Sequence, residues 1–291
     1  SLDCVYCECG RTTNHTNVRA EYCPTDAVLD ELDAFFSTGR KIDFLTFSGV
    51  GEPTLHCGIG RIIDHVKRTH PEVRICLLTN AVLLGDPELQ RELRHLDLVV
   101  PSLDASCEDE FQTINRPAQG VSFPMLENAI VSFRKALPNI EMWLEIFIVP
   151  GVNDSPESLT RFRDLVRLVA PDKVQLNSLD RPGSEEWVEV PSKQELAHIQ
   201  KILAESEVPV EVVSRTRKEE PGVPPHENVE EYNEQILKTL RSRPCTPLDL
   251  AQTLRFRPGQ MAAHLRRLER EGLVVSENGP RGVYYRPADP A

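Results

Sequence analysis

Ser1-Leu2-Asp3-Cys4-Val5-Tyr6-Cys7-Glu8-Cys9 opens the chain, and the reading of this stretch decides which fold to expect. Cys4 and Cys7 form a C-x-x-C with an aromatic residue, Tyr6, between them. Thiolates are soft ligands, and a tight loop that carries two of them suits zinc, an iron–sulfur cluster or a redox pair. A zinc site wants a second pair, and no further C-x-x-C or H-x-x-x-H follows. A thioredoxin-like pair would follow a strand and open a helix, whereas this one leads into polar Gly10–Val18. The pair alone leaves zinc, a redox pair and an iron–sulfur cluster open, and the motif context favours the cluster. Cys9 is an alternative ligand or a loop cysteine beside the cluster. The chain has 8 cysteines, three of them in this stretch, which points to metal ligation rather than a disulfide framework. Free thiolates imply a reducing, cytoplasmic compartment.

Outward from the cysteines, Asp43–Phe47 is a short β-branched and aromatic run, and Ser48-Gly49-Val50-Gly51-Glu52-Pro53 follows it. Two glycines after a buried strand let backbone approach a ligand closely. The same residues also suit a plain strand-to-helix turn capped by Glu52. Further candidate strands are Val73–Leu78, Leu96–Val100, Met142–Val149 and Lys173–Leu176. Helical patterns lie between them. Thr25–Phe36 sets Val28, Leu29, Leu32, Phe35 and Phe36 on one face. Ser155-Pro156-Glu157 reads as an N-cap, a proline at the first helical position and an acidic first turn. Such alternation implies an α/β fold, a parallel sheet with helices packed outside, and ligands at the C-terminal strand ends. Ser48–Pro53, Thr79-Asn80, Ser102-Leu103-Asp104, Gly151–Asp154 and Asn177-Ser178 all fall there. Glu145, inside an apolar strand, either faces the interior as a ligand or alternates to a solvated face.

At 291 residues the chain suits one large domain with a small one, and 40% hydrophobic with 27% charged residues is ordinary globular composition. No apolar run is long enough to span a bilayer, and no leader is visible, so no membrane partner is expected. A net charge of -12 counts against the whole surface binding nucleic acid. The expected domains are a core over 1–213, a linker over 214–226 containing Pro221, Pro224 and Pro225, and a small domain over 227–291. In the last, Glu227–Leu240, Thr246–Leu254 and Pro258–Glu271 read as helices. Gly272–Val275 and Gly282–Tyr285 read as a hairpin around Glu277–Arg281. Three helices and a hairpin make a winged-helix pattern, with Gln260, His264, Arg267 and Arg270 on or near the exposed side of the third helix. Between Arg241 and Arg286, Phe256, Tyr284 and Tyr285 are the only aromatic residues that could stack on bases. Such a module binds RNA, DNA or protein.

The stretches TFSGVGEPTLH (46–56), LTN (78–80), PSLDA (101–105), INRP (114–117), GVNDS (151–155) and DKVQLNS (172–178), with the cysteine loop, resemble the radical S-adenosylmethionine (SAM) superfamily. Within it they resemble the branch of iron–sulfur oxidoreductases related to wyosine synthases. The resemblance covers about 1–213. It implies a partial (β/α)6 TIM-like barrel and a C-x-x-x-C-x-x-C motif. A further cysteine would then stand directly before Ser1, with the first strand upstream of it. It implies Cys4 and Cys7 as ligands of a [4Fe-4S] cluster, and Tyr6, Gly49, Gly51, Glu52, Asn80, Ser102 and Asp104 as cofactor-binding residues. It also implies reductive cleavage of SAM to a 5′-deoxyadenosyl radical, an electron donor of flavodoxin or ferredoxin type, and hydrogen abstraction from RNA or protein. A glycyl-radical activase and a cluster-bearing DNA-binding regulator without SAM cleavage are the alternatives.

Overall fold

A computed structural model describes residues 1–49, 51–179, 183–213, 229–254 and 258–288. The linker reading over 214–226, together with Val50, Phe256 and the side chain of Gln260, lies outside the described residues. The chain divides into two compact units. The first comprises Ser1–Cys4, Thr12–Ser178 and Pro191–Val213; the second comprises Val5–Arg11, Leu179–Val190 and Ser214–Ala291.

In the first unit the order is α1 (Thr25–Ser37), β1 (Phe44–Phe47), α2 (Ile59–Thr69), β2 (Arg74–Thr79), α3 (Pro87–Glu92), β3 (Leu98–Pro101), α4 (Glu108–Ile114), α5 (Phe123–Ala136), β4 (Glu141–Phe147), α6 (Pro156–Val169), β5 (Lys173–Asn177), α7 (Lys193–Ala204) and β6 (Val210–Val212). The strands form one six-stranded sheet, and every neighbouring pair is parallel. Strand order in the sheet equals strand order in the chain. Successive right-handed crossovers that never reverse direction put the helices on one face and curl the sheet toward a barrel. The five expected strands are all present. The sixth, β6, is three residues long and too short to stand out as a period-two pattern.

Alternation along each strand sorts the two faces. Ile75, Leu77, Val99, Met142, Leu144, Ile146, Val174 and Leu176 point to the helix side and join Ile63, Val66, Phe162 and Val166 in one buried cluster. Cys76, Leu98 and Val100 point the other way and pack with Phe44 and Trp143 on the concave side. Toward the N-terminal strand ends that side carries paired charges: Arg74 on Glu141 at 3.0 Å, and Lys173 on Glu211 at 3.0 Å. The Arg74 guanidinium also lies over the Phe44 ring, and the Lys173 ammonium over Trp143. The C-terminal ends of the strands carry uncharged and acidic groups.

In the second unit α8 (Val229–Ser242), α9 (Pro247–Thr253) and α10 (Pro258–Arg270) precede an antiparallel hairpin of β7 (Val274–Gly279) and β8 (Gly282–Pro287). Thr246 and Asp249 form a reciprocal capping box at the start of α9. Ile236, Leu240, Leu250, Met261, Leu265, Leu268 and Val274 form the buried centre. The hairpin is tighter than the sequence suggested: Gly279 pairs with Gly282, so the turn is only Pro280-Arg281. The expected exposed face of α10 also needs correction. His264 bonds Asn233 Oδ1 of α8 at 2.6 Å and Arg267 bonds it at 3.2 Å, so both side chains face α8. Arg266 and Arg270 are the exposed cations of that helix.

Candidate active site

Glu52 organises the ends of β1 and β2. Its Oε1 accepts hydrogen bonds from Thr54 N (3.1 Å), Thr54 Oγ1 (2.6 Å) and Thr79 Oγ1 (2.7 Å), and its Oε2 accepts from Asn80 N (2.7 Å). It therefore caps the short 3-10 turn Pro53–Leu55 and ties it to β2. A carboxylate has about four lone-pair sites, and Oε2 keeps one for a further donor. The cap and a ligand contact are compatible.

Gly49 and Gly51 sit on the approach to Glu52. A Cβ on Gly51 would meet nothing within 4 Å, and one on Gly49 only Gly51 N at 3.9 Å. Packing inside the protein does not demand glycine at either place. The space a side chain would fill is open, which suits a ligand lying against bare backbone. Asn80 uses its side chain locally: Oδ1 accepts from Val82 N at 3.2 Å in an Asx turn, and Nδ2 donates to Ser1 Oγ at 2.8 Å. Ala81 follows in left-handed conformation (φ 65), an uncommon state for alanine that marks a constrained strand end.

Asp104, expected among the cofactor contacts, is 2% exposed. Its Oδ1 accepts from Phe147 N and its Oδ2 from Asn115 Nδ2, both at 3.0 Å. The same Asn115 amide donates to Cys4 Sγ at 3.3 Å. A buried carboxylate thus fixes an amide that donates to a cysteine sulfur, the arrangement that steadies a thiolate ligand. Asn115 Oδ1 is buried without a partner. Its backbone accepts from Asp3 N, and Ser1 O accepts from Ala118 N, so Ser1–Cys4 runs along the segment after α4. Asn153 is also structural. It is fully buried, donates to the carbonyls of Asp104 and Phe147, and accepts from Val149 N.

Within the second unit, the Val5–Arg11 loop is held from Gly183–Glu185. Ser184 Oγ and Glu185 N donate to Val5 O, and Arg11 pairs with Glu185 at 2.7 Å. A Cβ on Gly183 would stand 3.0 Å from Tyr6 backbone atoms, so the close approach there requires glycine. Nothing in the sequence pattern marked this residue. Cys9 donates its S–H to Ser242 O at 3.2 Å. Its hydrogen bond with Cys7, together with partial burial, pushes its thiol above the ordinary range. A groove of about 1360 Å³ runs beside this loop, lined by Cys9, Arg11, Ser184 and Arg243 among others.

On the concave face, Ser102 Oγ donates to Glu145 Oε1 at 3.3 Å and Asn177 Nδ2 donates to Oε2 at 3.2 Å. Burial, then the nearby Asp104 charge, raises the Glu145 pKa, while the two hydrogen bonds work against that rise. Glu145 therefore faces the interior, the first of the two orientations the sequence left open.

The Radical SAM superfamily model matches residues 1–162. The chain belongs to the radical SAM superfamily. It is 33% identical over 201 residues to a Brachyspira hyodysenteriae protein named GTPase Obg, a match covering 69% of this chain and 29% of that protein. It is 32% identical over 182 residues to a UPF0026 protein of Synechocystis, covering 62% of this chain and 66% of that protein. The chain thus spans less than two thirds of either relative. A solved radical SAM methyltransferase from Sphaerobacter thermophilus superposes with TM-score 0.57 at 19% identity, covering 73% of this chain and 62% of that one. At such identity the likeness shows the fold. Members of that superfamily are enzymes that use a [4Fe-4S] cluster and SAM.

Cys4 and Cys7 supply two of the three cysteines that the cluster motif calls for. Among the described residues no three His, Cys, Asp or Glu side chains gather as a metal site. Cys4 already receives an N–H bond beside an unpartnered buried oxygen, and the Gly49/Gly51 cradle is open.

Proposed function

We propose that this enzyme uses Cys4 and Cys7 as cluster ligands and the ends of β1, β2 and β3 as its SAM site. The observation that carries the reading is the Gly49–Glu52 cradle, open where a Cβ would stand and backed by a carboxylate with one free lone pair. Glu52 would accept a hydrogen bond from the SAM amino group. The Gly49 and Gly51 backbone would lie against the methionyl part, and Asn80 and Ser102 would offer donors and acceptors to the carboxylate and ribose. Asp104 acts through Asn115, which orients Cys4. Tyr6 borders the cluster between its two cysteines. When bound and reduced, the cluster supplies the electron that splits SAM into methionine and a 5′-deoxyadenosyl radical, which takes a hydrogen atom from the substrate. The protein's part is to position, orient and exclude water. A small electron-transfer protein of flavodoxin or ferredoxin type delivers the electron.

We further propose the division into a core over 1–213, a linker over 214–226 and a winged-helix domain over 227–291. The helix–helix–helix–hairpin order supports the last, as does the isolated antiparallel bridge between Cys245 and Tyr285 beside the hairpin. Its role is recruitment of a macromolecular substrate, RNA before protein, because its exposed cations stand out from an acidic chain. The test is anaerobic. Full-length protein is reconstituted with iron and sulfide, reduced in the presence of SAM, and assayed for 5′-deoxyadenosine. Cleavage that disappears in Cys4→Ala/Cys7→Ala upholds the reading. A loaded, reduced protein that leaves SAM intact refutes it.

A further inference from the structure

Glu145 is central to a polar floor that the SAM site does not use. It lies on the concave face of β4, two residues after Trp143 and two before Phe147. In the sheet it is level with Ser102, just past β3, and with Gln175 on β5. Asn177, one step further along β5, bonds its second oxygen. Val174 and Leu176 point into the helix-side core, so Gln175 and Asn177 share the concave side with Glu145. Each Glu145 oxygen accepts one bond, which leaves acceptor capacity on both and, when the group is protonated, a donor. The Gln175 amide, partly exposed, is engaged by no other side chain among the described residues and offers both a donor and an acceptor.

The charges around this floor decide what it can receive. An anion would meet Glu145 and Asp104, while Arg74 and Lys173, the cations of the concave strand faces, are already paired with Glu141 and Glu211. A cation would require Glu145 to ionise in a setting that burial and Asp104 make costly. A neutral planar group with an N–H beside an acceptor matches a carboxyl and two amides without adding charge.

We propose that Glu145, Gln175 and Asn177 bind the substrate through such a neutral donor–acceptor edge, of the amide or nucleobase kind. This rests on the reading that SAM occupies the ends of β1 to β3, and Ser102, bonded to Glu145, is where the two sites meet.

Trp143 is the natural reporter, because the chain has 2 tryptophans and Trp187→Phe leaves it alone. Full-length Trp187→Phe protein is titrated with benzamide, benzoate and benzylamine, which share a shape and differ in charge. Saturable change in Trp143 emission is expected with benzamide, at concentrations at least about tenfold below those for the two ions, the scale of one mispaired buried polar group. Glu145→Ala weakens benzamide by a similar factor, Glu145→Gln keeps most of the binding, and Gln175→Leu weakens it independently. No saturable response to benzamide, equal response to the ions, or full binding by Glu145→Ala overturns the proposal. In parallel, substrate-free 5′-deoxyadenosine formation is measured with loaded enzyme. Wild-type protein that cleaves no SAM would sink the cofactor reading alone, and the fluorescence titration would still decide recognition.

Discussion

Gly51 and Glu145 show at the residue scale how position separates structure from chemistry. A glycine kept for packing or for a left-handed turn resists alanine, yet Gly51 has open space where its Cβ would be and lies outside the positive-φ set. Gly51→Ala should therefore leave stability unchanged or raise it by about 0.4–1 kcal/mol, by restricting the unfolded chain. The same change should weaken SAM binding at least about tenfold by filling the cradle, as read by equilibrium dialysis of the loaded protein. Tight SAM binding in a stable Gly51→Ala protein would remove Gly51 from the site. Glu145 behaves in the opposite way, because burial raises its carboxyl above the ordinary carboxylate value of 4.5 in the folded protein. The folded state then holds a proton that the unfolded state gives up. The Glu145 contribution to stability accordingly falls as pH rises above 4.5 toward the folded pKa, and is flat below 4.5. Urea denaturation from pH 4.5 to 7.5 should show that slope, and Glu145→Gln should flatten it. The sequence made Cys4, Cys7 and the glycines legible because they are unusual residues at unusual spacing. It did not reveal that Asp104 works through Asn115, because a buried carboxylate and a ligand contact use the same residue type at the same strand end.

At the scale of elements, strands were easier to read than the loops that hold the site. A run such as Arg74–Thr79 advertises itself by β-branched and aliphatic residues, whereas β6 has three residues and borrows its order from β5 and α7. The exposed side of α10 was misjudged for a related reason. Amphipathic period gives one buried face, but His264 and Arg267 lie at its margin, and only the packing of α8 decides that they turn inward to Asn233. The Val5–Arg11 loop depends on a distant partner in the same way. Gly183 approaches the Tyr6 backbone so closely that a methyl group must displace it by a few tenths of an ångström. Gly183→Ala should thus lower the iron bound per chain after reconstitution, while Gly120→Ala, with open space at its Cβ and a positive φ, perturbs only its own turn. The comparison is made by iron analysis and by the visible absorbance of the cluster. Equal iron loading in the Gly183→Ala and wild-type proteins would show that the loop tolerates the shift.

Charge is the property that belongs to the whole molecule. A chain of net charge -12 repels nucleic acid over most of its surface, so any affinity for RNA must come from a local concentration of cations. That concentration lies between Arg241 and Arg286, and on α10 it is presented by Arg266 and Arg270 rather than by His264 and Arg267. Few phosphates can be contacted by so small a set. Binding of full-length protein to structured RNA should accordingly weaken with salt by a shallow slope, about one unit of log K per log salt for each phosphate neutralised. Arg266→Glu/Arg270→Glu should remove roughly two units of that slope and most of the affinity, while substrate-free SAM cleavage stays at the wild-type rate. Fluorescence anisotropy across a salt series reads the slope directly. Affinity that survives the double reversal, or that ignores salt, would mean that recruitment does not run through this helix. The terminal helices and hairpin would then be a protein-binding module attached to a radical SAM core.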